Sequence, residues 1–183
     1  MSAAVAFDCG TRPRHTLETR HATDAAHSER SRLTTMSTDL GAALPTALLG
    51  RLKSPAPGGE GIAVPICTVD GAGFPHPAML SYAELAAMGP SDLQVSVYAG
   101  SRTAQHLAGV GRVTLLFVDE RGAYYVKARS TGASRPHPGR PDVAIFDVHV
   151  AAVLEDAADP SRERQAAITS GIRFRRAEGG ATR

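Results

Sequence analysis

The sequence predicts a mainly β (α+β) domain of six antiparallel strands with little helix, folded as a barrel or a sandwich. Three observations carry this reading. Apolar residues alternate or run together over strand-length segments, as in Ile62 to Asp70, Leu93 to Ala99 and Arg112 to Asp119. Clusters of turn-forming residues separate them, at Asp70 to Gly73, at Gly89 and Pro90, and at Glu120 to Gly122. Segments with helical spacing are few and short.

Taken in order, residues 1–40 are rich in Thr, Ser, Arg, His and Ala, mix opposite charges and hold no period, which predicts a disordered tail. Met36 opens a more ordinary stretch and is the expected true start. Pro45 to Leu52 suits a short helix, with Pro45 in the first turn and Leu48, Leu49 and Leu52 on one apolar face. Residues 54–61 read as a loop. Ile62, Val64 and Ile66 then alternate with Ala63, Pro65 and Cys67 up to a hairpin turn at Asp70 to Gly73. Pro65 argues for an edge position or a bulge. The return strand is expected over Phe74 to Tyr82, followed by a short helix or turn at Ala83 to Met88.

Leu93, Val95 and Val97 share one face of the next strand, and Gln94, Ser96 and Tyr98 the other. Ser101 to Val110 is predicted helical, with Ala104, Leu107 and Ala108 inward and Gly109 and Gly111 at its end. Arg112 to Asp119 is apolar on both faces, which suggests barrel interior on one side and a helix or second subunit on the other. Ala123 to Ser130 follows. Residues 132–141, with prolines at 136, 138 and 141, are predicted as a loop that cannot be a strand. Asp142 to Asp156 is the last strand, and Ala157 to Ile172 a polar helix. One domain is therefore expected over 41–176, with a frayed C-terminus at 177–183.

Composition narrows the function classes. Hydrophobic residues make up 43% of the chain but aromatics only 5%, and Trp is absent, so the core must be built from Val, Leu, Ile and Ala. A net charge of +2 gives no nucleic-acid footprint. Cys9 and Cys67 form neither a disulfide framework nor a CxxC site, which fits a reducing, cytoplasmic setting. No apolar run reaches membrane-spanning length, and the first residues lack a secretory signal, so no membrane partner is expected.

Known chemical motifs are largely missing. The third glycine of a dinucleotide fingerprint after Gly71 and Gly73 is replaced by His76. There is no phosphate loop of the Gly-Lys-Ser/Thr type and no nucleophile elbow. His15, His21 and His27 share no helix face that would suit a metal. What remains is Gly100, Ser101, Arg102 and Thr103, where a strand gives way to a helix. Hydroxyls, a guanidinium and the amides of a helix start favour an anion, and this set suits the terminal phosphate of a mononucleotide. His106, one turn after Arg102, shares its face. The plainer reading is an N-capping Ser101 beside a solvated Arg102.

One family matches this order of elements. The chain from about Gly61 to Asp156 resembles the FMN-binding split barrel of the pyridoxamine 5′-phosphate oxidase-like proteins. The resemblance rests on the turn at Asp70 to Gly73, on Pro75 to Leu80, and above all on Val95 to Leu107 followed by Gly111 to Phe117. It implies a six-stranded antiparallel split β-barrel with flanking short helices. It implies that Ser101, Arg102 and Thr103 hold the FMN phosphate, and the helical spacing of His106 points it to the same place. It also implies that Ala78, Met79, Leu80 and Ser81, with Ser96, Val97 and Tyr98, line the flavin ring. Ser81 and Ser96 are the expected hydrogen-bond partners of the ring, and Met79 and Val97 its apolar contacts.

The family further implies a homodimer with the cofactor groove between two barrels, and a flavin-dependent oxidoreductase whose substrate is unassigned. Deazaflavin or haem in the same groove remains open, as does a barrel that carries a cofactor without turnover. The sequence departs from the true pyridoxamine phosphate oxidases at its C-terminus. Ile172 to Arg183 has no Trp where those enzymes hold substrate with Arg and Trp, which argues against that reaction. The segment Arg135 to Arg140 has no counterpart in the family pattern; it either rims a substrate pocket or is a plain surface turn, and the second is the expectation. No acid or base residue is singled out.

Overall fold

The computed structural model describes residues 37–53, 61–119, 122–157 and 171–173. These form eight strands and two helices: β1 (Ser37–Asp39), α1 (Thr46–Lys53), β2 (Ala63–Val69), β3 (Pro75–Ser81), β4 (Leu85–Ala87), β5 (Asp92–Tyr98), α2 (Arg102–Ala108), β6 (Arg112–Asp119), β7 (Gly122–His137) and β8 (Arg140–Asp156). All the pairings are antiparallel. The sheet runs in the order β3-β2-β6-β7-β8-β5-β4, with β1 added to β8. β3 and β4 end the path and do not pair with each other, so the curled sheet is open between them. This is a split barrel, with eight strands where six were expected.

The interior follows from the alternation in the sequence. Val64 and Ile66, Leu93 and Val95, Leu115 and Phe117, Val126, Phe146 and Val150 all point inward and are almost fully buried. Leu48 and Leu52 of α1 and Leu107 of α2 complete the core from the barrel ends. At roughly 1.5–3 kcal/mol per buried side chain, this set stabilises the fold without tryptophan, but Phe117 and Phe146 belong to it beside the Val, Leu, Ile and Ala that were expected.

Four expectations are corrected. The segment 132–141 is not a loop: β7 continues to His137, β8 begins at Arg140, and only Pro138 and Gly139 separate them. Proline is tolerated here because β6 leaves β7 at Arg129. Beyond that point, among the described residues, β7 pairs only with β8 and its other edge is unpaired. Register shifts between Ser130 and Ser134 absorb the change of direction. Pro65 lies on a strand with two neighbours, yet pairing with β6 stops at Ile66, so the missing N–H breaks no rung. The turn expected at 83–88 is a single 3₁₀ turn at Tyr82–Glu84 followed by β4. Ser37–Asp39, at the end of the expected tail, is a strand held only by its pairing to Leu154–Asp156.

The helix expected at 157–172 falls almost entirely outside the described residues, as do 1–36 and the frayed C-terminus. Of that helix segment's end, Ile172 accepts the Ala63 N–H at 2.8 Å and Arg173 bridges to Ile62.

Candidate functional site

The helix α2 packs against β2, β5, β6 and β7. Its start is fixed at the end of β5 by a tight turn in which the Ser101 N–H donates to the Tyr98 carbonyl at 2.9 Å. Ser101 then caps the helix, its Oγ accepting the Ala104 N–H at 3.1 Å. Further along, His106 reaches back to β2 and β3. Its Nδ1 lies 3.0 Å from the Oγ1 of Thr68, which is fully buried. Its ring meets that of His76 edge-on at 5.1 Å. The helix is thereby tied at one end to β5 and at the other to β2 and β3.

Of the three residues expected to cradle a phosphate, two reach the surface and one does not. Arg102 is exposed and has no hydrogen bond or ion pair among the described residues. Ser101 is half-buried and keeps its hydroxyl hydrogen free after capping. Thr103 is turned into the core with 5% exposure. His106 serves chiefly to anchor the helix through Thr68.

The register of β3 decides which ring-lining groups are available. The Asp70 N–H donates to the Phe74 carbonyl at 3.0 Å, which sets the alternation of rungs. Residues 76, 78 and 80 therefore turn their backbone groups towards β2, and Pro75, Pro77, Met79 and Ser81 turn theirs to the open edge. Ala63, opposite Ser81, agrees with this phase by sending its own N–H away from β3 to Ile172. Prolines occupy two of the four outward positions. The Ser81 N–H is taken by Glu84 Oε2 at 2.6 Å, and the Ser81 hydroxyl donates to the same oxygen at 3.0 Å. The Met79 amide is left as the one unpartnered outward N–H of β3 among the described residues. Met79 itself is exposed, Ala78 half-buried and Leu80 buried.

On β5 the inward Val97 is buried, while Ser96 and Tyr98 face outward. Ile145 and Val143 of β8 lie directly opposite them and give that face apolar flanks. Tyr98 is 58% exposed, and the Arg140 guanidinium stacks over its ring at 5.5 Å from the centroid. Arg140 also reaches Asp142 Oδ2 at 3.5 Å. Its charge is held above the ordinary guanidinium range, first by the Tyr98 side chain and then, against desolvation, by Asp142. Met79, Ser96, Tyr98, Ser101 and Arg102 are thus expected site residues that reach the surface. Leu80, Val97 and Thr103 are buried in the core. Arg140 was missed because proline-rich composition hid a strand.

A separate groove of about 440 Å³ lies on the outer face of β2, β6, β7 and β8, lined by Cys67, Thr114, Ala152 and the cations Arg112, Lys127 and Arg129. None of the expected site residues lines it. No group of His, Cys, Asp and Glu among the described residues is arranged to hold a metal ion. No described helix is long and apolar enough to cross a membrane.

No family model matches the chain. It is 28% identical over 111 residues to the uncharacterized protein YclD of Bacillus subtilis, and the match covers 58% of this chain and 66% of that protein. Among solved structures it matches a Lactobacillus delbrueckii protein whose activity as a pyridoxamine 5′-phosphate oxidase is inferred. There the TM-score is 0.51 at 16% identity, over 63% of this chain and 97% of the other. An FMN-binding protein of Syntrophomonas wolfei matches at TM-score 0.48 and 14% identity, over 62% and 88%. An F420 reductase matches at 0.46 and 13%, over 60% and 98%.

Proposed function

We propose that this chain, which has the split-barrel fold of the pyridoxamine 5′-phosphate oxidase-like proteins, binds FMN at the opening between β3 and β5 and acts as an oxidoreductase. The observation that carries the reading is Arg102 at the β5–α2 turn, exposed and without a partner among the described residues, on a helix whose His106 meets His76 of β3. A phosphate needs charged donors, which Arg102 and the Ser101 hydroxyl supply. A flavin ring needs a few polar partners along one edge and apolar contact on its faces. The Met79 N–H and Ser96 hydroxyl serve the first need, and the exposed Met79 and Tyr98 the second.

The residues present fit the cofactor. When bound, it supplies the hydride and electron chemistry itself. The protein's part is to fix the phosphate, present the ring edge to the Met79 amide and shield one ring face. No side chain of the opening is assigned as acid or base. The protein is proposed to work as a homodimer, with the second copy closing the groove. Deazaflavin shares these requirements, since it too carries a phosphate and a flat ring.

The test is mass spectrometry of the small molecule that co-purifies with the full chain, together with its visible spectrum. FMN, or a deazaflavin, is the expected result. A colourless protein that takes up neither when they are added overturns the reading. Reduction of the bound cofactor by NADH or NADPH in a stopped-flow instrument then separates an oxidoreductase from a carrier.

A further inference from the structure

The hairpin formed by the end of β7 and the start of β8 carries Arg140 to the same corner as Arg102, although the two are far apart in sequence. Three contacts put it there. Ala99, between β5 and α2, donates its N–H to the Asp142 carbonyl at 2.9 Å. The Arg140 guanidinium lies over the Tyr98 ring at 5.5 Å. Tyr98 in turn accepts the Ser101 N–H, and a turn closed in this way keeps its end Cα atoms within about 7 Å. Tyr98 is therefore a partner both of Arg140, through its ring, and of Ser101, the residue before Arg102, through its carbonyl.

A phosphate monoester carries about −1.5 to −2 charges near neutral pH. Arg102 answers one of these. Thr103, the next residue in the anion-binding run, is buried and uncharged. A second cation would answer the rest of this charge, and among the described residues Arg140 is a cation that the fold presents beside the turn. Its Asp142 contact, at 3.5 Å with both side chains about half exposed (51% and 59%), is a weak surface pair. A guanidinium has five N–H donors, so most of its hydrogen-bonding capacity remains.

We infer that Arg140 is a second phosphate-binding residue, positioned by stacking on Tyr98, and that Arg102 and Arg140 together make the opening select a phosphorylated cofactor over its dephospho form. This rests on the flavin reading above. The experiment compares FMN and riboflavin, which differ only in the phosphate, by fluorescence titration of the full chain as wild type, Arg140→Ala, Arg140→Lys and Arg102→Ala.

The wild type is expected to bind FMN much more tightly than riboflavin. Arg140→Ala should weaken FMN binding tenfold or more with riboflavin unchanged, and Arg140→Lys should recover part of the loss. An Arg140→Ala protein that keeps the wild-type preference, or that loses affinity for both ligands equally, overturns the role of Arg140 while leaving the flavin site standing. A wild type that holds FMN no better than riboflavin overturns the phosphate reading itself, and this inference with it.

Discussion

Arg102 and Thr68 show how much single side chains carry here. Arg102 has no partner among the described residues, so its removal should spare stability and lower FMN affinity by about 1.5–3 kcal/mol, the usual range for a charged hydrogen bond. Flavin fluorescence titration beside a urea melt checks both halves. Thr68 is the converse. It is fully buried, and its hydroxyl meets His106 at 3.0 Å and the His76 carbonyl at 3.4 Å. Thr68→Val leaves a ring nitrogen of His106 without its partner and should cost about 1–3 kcal/mol in urea unfolding. Arg102 was legible in the sequence because its neighbours in the chain are also its neighbours in space. Arg140 was not, since its meaning depends on Tyr98, which only the β5–β8 pairing brings to it. Thr103 misled for a related reason: the run of polar letters does not say which face of a seven-residue helix each occupies.

β3 and α2 bring the argument to the level of elements. β3 is an open edge, and Pro75 and Pro77 remove two of its outward amides, a device that discourages strand addition by other chains. Pro77→Val restores an outward N–H without touching the pairing to β2. It should raise self-association at high concentration, read by static light scattering, while the unfolding midpoint changes little. α2 ends on Gly111, at φ 70°, whose N–H bonds the His106 carbonyl at 2.9 Å. A Cβ there would stand 3.2 Å from the Ser130 carbonyl. Gly111→Ala should therefore destabilise by more than about 1 kcal/mol, measured in urea. The strands with alternating aliphatics could be read directly from the sequence. β1, a Ser-Thr-Asp tripeptide, could not, because nothing but its pairing to β8 makes it a strand. The β7–β8 arm was hidden by prolines that a free edge accepts.

At the scale of the whole molecule, Leu116, Tyr125 and Leu154 form a cross-strand row on the outer face and remain only half-buried. A second copy covering this row is the proposed assembly. Light scattering is expected to give twice the 19.1 kDa of one chain, and Leu116→Glu to shift it towards the single-chain mass with weaker flavin binding. The barrel was legible as a class because its core is patterned by alternation. The opening was less so, since it is defined by two strands that fail to meet. β8 has a further consequence. It pairs with β1, β5 and β7 alike, so three separate stretches wait on the part of the chain that leaves the ribosome late. Until then β2–β3 and β6–β7 can close as local hairpins, while β5 has only the three residues of β4 beside it. Contacts of such long span slow folding, and a nascent protein halted before residue 140 would hold a half-built wall with its aliphatic lining open to chaperones.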